Sequence, residues 1–197
     1  MRRHTAIIFT AAVVVAGVSF AGCEDHAVMP QAHDNNGHSR EAFADIDRAV
    51  AVVHPTAGND VTGVVRFEHL GDEQVRVTAR FENLEPGGVH GFHVHEFGDC
   101  TADDATSAGG HYNPQGHPHG LPNDDERHAG DFGNVTVGED GVANFELVVQ
   151  NITVAGERNP VLGRGVIIHT QRDDGSQPLG DAGPRIGCGV IGVAQDQ

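Results

Sequence analysis

The chain has 197 residues, enough for one domain of ordinary size plus an extension, and its 27 glycines and 9 prolines favour short strands joined by many turns over long helices. Its formal net charge is -16, there is no lysine, and all 12 basic residues are arginines. That balance excludes nucleic acid and anionic membrane surfaces as natural partners.

Residues 1–22 read as a targeting segment. Arg2 and Arg3 precede an apolar run from Ala6 to Phe20, too short for a comfortable bilayer span and ordered like the n-region and h-region of a secretory signal. The run closes in S-F-A-G-Cys23, which resembles the lipobox of bacterial lipoproteins, where the cysteine becomes the lipidated N-terminus. Phe20 is unusual three places before such a cysteine, so ordinary cleavage and an uncleaved anchor stand as alternatives. The expected location is a bacterial cell envelope, periplasmic or on the outer surface, with the membrane reached only through a lipid on Cys23. With Cys23 so used, Cys100 and Cys188 remain as an even pair that an oxidising compartment lets join as a disulfide, two free thiols being the alternative. Residues 23–48 read as a flexible tether rich in Asp, Asn, Gln and His, with at most a helical turn near Ser39–Asp45. Its His26, His33 and His38 are more simply solvated than metal-bound.

From Ala49 the pattern becomes short apolar segments of period two bounded by turn residues. AVAVVH (49–54), VTGVVRFEHL (61–70), QVRVTARFENL (74–84) and VHGFHVHEF (89–97) predict four strands at hairpin-like spacing. GNVTVG, VANFELVVQ, GRGVIIHT and the closing CGVIGVA predict four more, and eight strands without a long amphipathic helix predict a sandwich or barrel. Residues 98–131 and 170–187 break the rhythm as long loops, too polar for core and of a length that is usually functional.

Chemistry concentrates around these loops. His93 and His95 stand at i and i+2 of a predicted strand, so both imidazoles leave one face roughly 6–7 Å apart and can converge on one ion. An isolated pair of this kind is more simply a solvated strand face. The first long loop adds His111, His119, His128 and Asp131, whose nitrogen and oxygen donors suit a tetrahedral zinc site. His169 ends the strand VIIH, and Asp173 and Arg185 follow it. His90, an odd number of residues from His93, faces the other side of the sheet and reads as structural.

GFHVHEFGD, SAGGHYNP, ERHAGDFGN, VIIH and GPRIGCGVIG together resemble the successive signatures of the copper/zinc superoxide dismutase family, in the family's order and over about Ala49 to Gln195. The resemblance implies an eight-stranded Greek-key β-barrel, of immunoglobulin-like sandwich type, carrying two long active-site loops over residues 49–197. It assigns copper to His93, His95, His111 and His169, and zinc to His111, His119, His128 and Asp131, with His111 as the bridge. It makes Asp173 the carboxylate that links one histidine of each set, Arg185 the cation that orients the substrate anion, and His111 a proton carrier. The implied reaction is dismutation of superoxide to dioxygen and hydrogen peroxide at redox-cycling copper. The alternative is a copper/zinc-binding or copper-delivery protein of the same fold without turnover, which would be expected to lack a ligand or the arginine. Cys100 lies five residues after His95, nearer the bacterial arrangement, and the loop from His169 to Arg185 is short and lysine-free, with Arg172 its only other cation. GVIGVAQ and residues 162–164 resemble segments that pair subunits in eukaryotic-type members, so a homodimer is expected.

Overall fold

The computed structural model describes residues 46–195. The targeting segment 1–22, Cys23, the histidines His26, His33 and His38 and the helical turn expected over Ser39–Asp45 all lie outside the described residues.

Nine antiparallel strands follow in order: β1 (Arg48–Pro55), β2 (Thr62–Gly71), β3 (Gln74–Glu82), β4 (Val89–His95), β5 (Asp131–Thr136), β6 (Ala143–Val149), β7 (Gly165–His169), β8 (Arg185–Val190) and the two-residue β9 (Gly192–Val193). A single turn of 3-10 helix, Thr106–Ala108, interrupts the longest loop. The barrel begins slightly earlier than the predicted boundary: Ile46 packs against the core and Arg48 already pairs with Glu68 of β2.

Pairing runs β5-β4-β7-β8-β1-β2-β3-β6, with β9 on β1. A bridge between Val137 and Ala143 joins the two ends of this path, so the barrel is nearly closed and few edge groups are left unpaired. The hairpin-like spacing holds for β1, β2 and β3 but not for β4. β3 pairs with β6 from Val75↔Val149 to Phe81↔Ala143, and β4 lies between β5 and β7. This crossover makes the Greek key, and it moves the two histidines of β4 away from the hairpin preceding them in sequence. The predicted closing strand begins three residues before Cys188, at Arg185, which shortens the second long loop to residues 170–184.

Period-two burial builds the core. Ala49, Ala51 and Val53 of β1, Val65 and Phe67 of β2, and Val75, Val77, Ala79 and Phe81 of β3 all point inward. Phe92 of β4 sits at the middle, edge-on to Phe81, Phe132 and Phe145 at centroid distances of 5.3, 5.5 and 5.2 Å. Each such ring contributes roughly 1.5–3 kcal/mol through burial.

The loop 98–130 is not simply a polar surface segment. It buries Ala105, Ala108 and Tyr112 together with three of its histidines, and Ala105 and Ala108 pack on Ile167 and Cys188 beside Cys100. Cys100 and Cys188 are joined in a disulfide, with Cα atoms 5.8 Å apart, tying the start of this loop to β8. Closing 88 residues of chain destabilises the unfolded state by about 4–5 kcal/mol on the loop-entropy model.

Candidate metal centre

Strand β4 is buried on both faces. Phe92 and Val94 enter the core, and His93 and His95 leave on the outer face beneath the two loops, their ring centroids 6.5 Å apart. His169 reaches the same face from the end of β7, whose register sets Ile168 against Phe92. The loop 98–130 returns along β4, with Tyr112 N–H donating to the Val94 carbonyl at 2.9 Å and His95 bridged to His111. The His111 ring thereby stacks 4.0 Å from that of His93. Val94 N–H in turn donates to the carbonyl of Gly130 at 2.9 Å, bringing His128 and Asp131 alongside. A Cβ on Gly130 would stand 2.2 Å from the Val94 carbonyl oxygen, so only glycine permits this approach.

Two buried groups result, each with its ligand-type atoms within 4.8 Å of one another: His93, His95, His111 and His169, and His111, His119, His128 and Asp131. His111 belongs to both. Four of the ring nitrogens turned away from the groups are hydrogen-bonded. His95 Nδ1 donates to the Gly109 carbonyl and His169 Nδ1 to the Gly183 carbonyl, both at 2.9 Å. His93 Nε2 donates to Asp173 Oδ2 at 2.8 Å, and His119 Nε2 to Asp173 Oδ1 at 2.9 Å. A proton fixed on the outer nitrogen leaves a lone pair on the inner one. The inner atoms His93 Nδ1, His95 Nε2, His169 Nε2, His119 Nδ1 and His128 Nδ1 are buried and have no hydrogen-bond partner. His119 Nδ1 and His128 Nδ1 stand 2.9 and 3.2 Å from Asp131 oxygens without the alignment of a hydrogen bond. Buried lone pairs aimed at one point are what a cation requires, and the donor sets fit an all-imidazole site for a redox metal and a three-imidazole, one-carboxylate site for zinc.

The family model for copper/zinc superoxide dismutase matches residues 61–191. The chain belongs to the copper/zinc superoxide dismutase family. Among solved structures it is similar to the clock protein EA4, at 38% identity and a TM-score of 0.68 over 75% of this chain and 95% of that one. The family binds copper and zinc, and each of the two groups could hold a metal ion.

Electrostatics follow from burial. Desolvation, then the neighbouring imidazoles, push His93 down to about 4 and His169 down to about 3, and hold His95 well below its ordinary value. Burial also lowers His128. Burial would lower His119 too, but the carboxylates of Asp131 and Asp173 outweigh it and push the ring up to about 9. Asp131 and Asp173 resist the upward pull of burial through their histidine contacts and stay below the usual carboxylate range. Asp173, wholly buried, thus links one ring of each group through a single carboxylate.

Arg185, at the start of β8, sends Nη1 to the Ala105 carbonyl and Nη2 to the Gly109 carbonyl at 2.6 Å. Gly109 O therefore receives both this guanidinium and His95 Nδ1. The cation's charge acts on His95 and His169, lowering both.

Several supporting residues escaped the sequence reading. Asn134 holds Asp173 at both backbone ends, donating to its carbonyl at 2.9 Å and accepting its N–H at 2.7 Å. Gln177 grips the backbone of His119, and Gly180 leaves the space that Asp173 Oδ1 fills, since a Cβ there would sit 2.0 Å from that oxygen. His90, expected to be structural, donates Nδ1–H to the His169 carbonyl at 2.9 Å. An Asn in a strand, a Gln in a polar loop, or a carbonyl of any residue carries no mark of such roles.

Proposed function

We propose that the protein dismutates superoxide, consuming two superoxide anions and two protons to release one dioxygen and one hydrogen peroxide. In this reading copper is held by His93, His95, His111 and His169, and zinc by His111, His119, His128 and Asp131. The observation that carries it is the sharing of His111 between two buried groups whose unpartnered ring nitrogens converge. Bound there, copper supplies a one-electron redox couple and zinc a fixed charge without redox chemistry.

The chain's own residues supply the rest. Arg185, anchored through two backbone carbonyls, presents a fixed cation that binds and orients the superoxide anion. Because Gly109 O also anchors His95, one backbone atom sets the spacing between that cation and a ring of the first group. Asp173 holds the proton-bearing Nε2 of His93 and of His119, so both rings keep their lone pairs toward the ions. His111 Nε2, the nitrogen on the first group's side, is the atom that would hold a proton between the two half-reactions and hand it to the reduced anion.

Export to a bacterial envelope with a lipid on Cys23 completes the proposal, and the Cys100–Cys188 disulfide supports an oxidising compartment. Exposed Val190 and Val193 flank Ile191, which is hydrogen-bonded to Gly163 and Arg164, and this apolar strip supports a homodimer.

The test is metal analysis of the purified chain coupled to a dismutation assay. Arg185→Ala should keep copper and zinc content while the rate falls, and Arg185→Lys should recover part of it. Stoichiometric metal without turnover in the wild type would replace the enzyme reading with that of a metal carrier of the same fold.

A further inference from the structure

Away from both histidine groups, Gln74 at the start of β3, Gln150 and Asn151 after β6, Gln115 and Arg127 of the loop 98–130, and Arg158 line an open hollow of about 620 Å³. None of the lining residues is acidic, although the chain carries a net charge of -16 and no lysine.

Unambiguous partners fix the direction of two of its amides. Arg127 Nη2 can only donate, so the Asn151 atom facing it at 3.2 Å is Oδ1. Asn159 donates its Nδ2 to the Asn151 carbonyl at 2.7 Å, which identifies that atom as nitrogen. The Gln115 atom it meets at 3.0 Å is therefore Oε1. Both amide oxygens already accept a bond inside the protein, and the side-chain N–H groups of Asn151 and Gln115 are left unbonded among the described residues. Arg127 spends Nε on the Asp131 carbonyl and Nη2 on Asn151, leaving Nη1. Arg158 spends Nη2 on the Gln150 carbonyl, with Glu73 3.3 Å away as its only carboxylate neighbour among the described residues. The side chains of Gln74 and Gln150 make no hydrogen bond among the described residues, so either can add a further donor. Two guanidinium groups and a surplus of donors select an anion with several acceptor oxygens.

We propose that this hollow binds a free tetrahedral oxyanion, phosphate or sulfate, with Arg127 and Arg158 as its charged partners. The site is independent of superoxide turnover and stands whether or not the chain is a dismutase.

The experiment is a titration of the 15N-labelled protein, with its metals and under ascorbate, by inorganic phosphate at constant ionic strength, read from backbone and side-chain amide signals. Saturable shifts are expected at Gln115, Arg127, Asn151 and Arg158. Arg158→Gln should weaken phosphate about tenfold through loss of a charge-assisted bond. Glu73→Gln should tighten it by about twofold to fivefold, because a competing exposed carboxylate is removed. Arg185→Gln should leave the affinity unchanged. The proposal is overturned if no saturable shift occurs at these four residues, if Arg158→Gln leaves the affinity as it was, or if the only responding signals lie beside Arg185.

Discussion

Asp173 is the residue whose removal tests the centre most directly. Its side chain is wholly buried, and it accepts from His93 Nε2, His119 Nε2 and the Gly175 N–H at 2.8, 2.9 and 2.9 Å. Asp173→Ala strands three donors. At about 1–3 kcal/mol for each unsatisfied buried group, the loss is roughly 3–6 kcal/mol after partial relaxation, a large share of a typical domain's stability. Asp173→Asn keeps the shape but offers one acceptor oxygen and turns an N–H2 against the other ring, so it should lose about half as much. Its effect on metals is more specific. With one ring of each group released, affinity for both copper and zinc should fall by about 10–100-fold, the usual effect of removing such a support. His95→Ala, by contrast, should weaken copper and His128→Ala zinc. Chelator competition for each metal, with urea denaturation of the metal-free chain, measures all of this. If Asp173→Asn weakens only one metal, or neither by more than about twofold, the carboxylate does not join the two groups.

Three further outcomes follow from the same geometry. His111→Ala should reduce zinc content as well as copper, whereas His95→Ala should spare zinc; equal zinc retention in the two variants, measured by elemental analysis, would remove His111 from the bridge. Gly130→Ala drives a Cβ into the Val94 carbonyl, backbone against backbone, and should cost roughly 2–3 kcal/mol in urea denaturation, more than Gly58→Ala, where a positive φ of 80° meets open space. The chelator-stripped chain should be most stable near pH 6.5. His93 and His169, neutral in the fold down to about 4 and 3, make stability fall as pH drops from about 6.5 toward 4, at roughly 1.4 kcal/mol per unit for each ring. His119, raised to about 9, contributes stability that is present below about 6.5 and lost as pH rises through 9. A melting temperature constant between pH 4 and 6.5 would contradict the burial argument.

The ligand residues were legible because their chemistry lies in side-chain type and local spacing. His93 and His95 share a strand face by the period of two, and the residues that bind them into groups carry recognisable donors. Strand identity was legible from the same period, but strand partnership was not. The segment between Glu82 and Val89 is short enough for a hairpin, yet β3 pairs with β6, because a nearly closed barrel is decided by which edges remain to be satisfied across the whole chain. The burial of loop 98–130 was hidden for a related reason. Its polarity argues for solvent until its histidines and Asp131 are seen to satisfy one another and β4. The anchoring atoms at Gly109, Gly183 and Ala105 are carbonyls, which every residue has, so no residue type could have announced them.

Metal binding and folding are therefore one problem in this chain. Five ring nitrogens of the two groups are buried with no partner, while the opposite nitrogens of His93, His95, His119 and His169 are hydrogen-bonded to backbone carbonyls or to the Asp173 carboxylate, which hold those four lone pairs in place. At about 1–3 kcal/mol for each unsatisfied group, the protein without metal carries a penalty of roughly 5–15 kcal/mol, at least as large as the stabilisation from its disulfide. An ion that satisfied these atoms would remove the penalty and brace the loops 98–130 and 170–184 against β4, binding the fold and not the unfolded chain. Chelation should accordingly lower the melting temperature of the disulfide-intact protein, and more steeply for the group that includes His119, His128 and Asp131, all placed by loop 98–130 and the start of β5. In calorimetry, zinc returned alone should restore most of the lost stability and copper alone less, because three of the four copper-side rings stand on β4 and β7, which the barrel already orders. Equal recovery with either metal would mean that the loops are held by the barrel rather than by the ion.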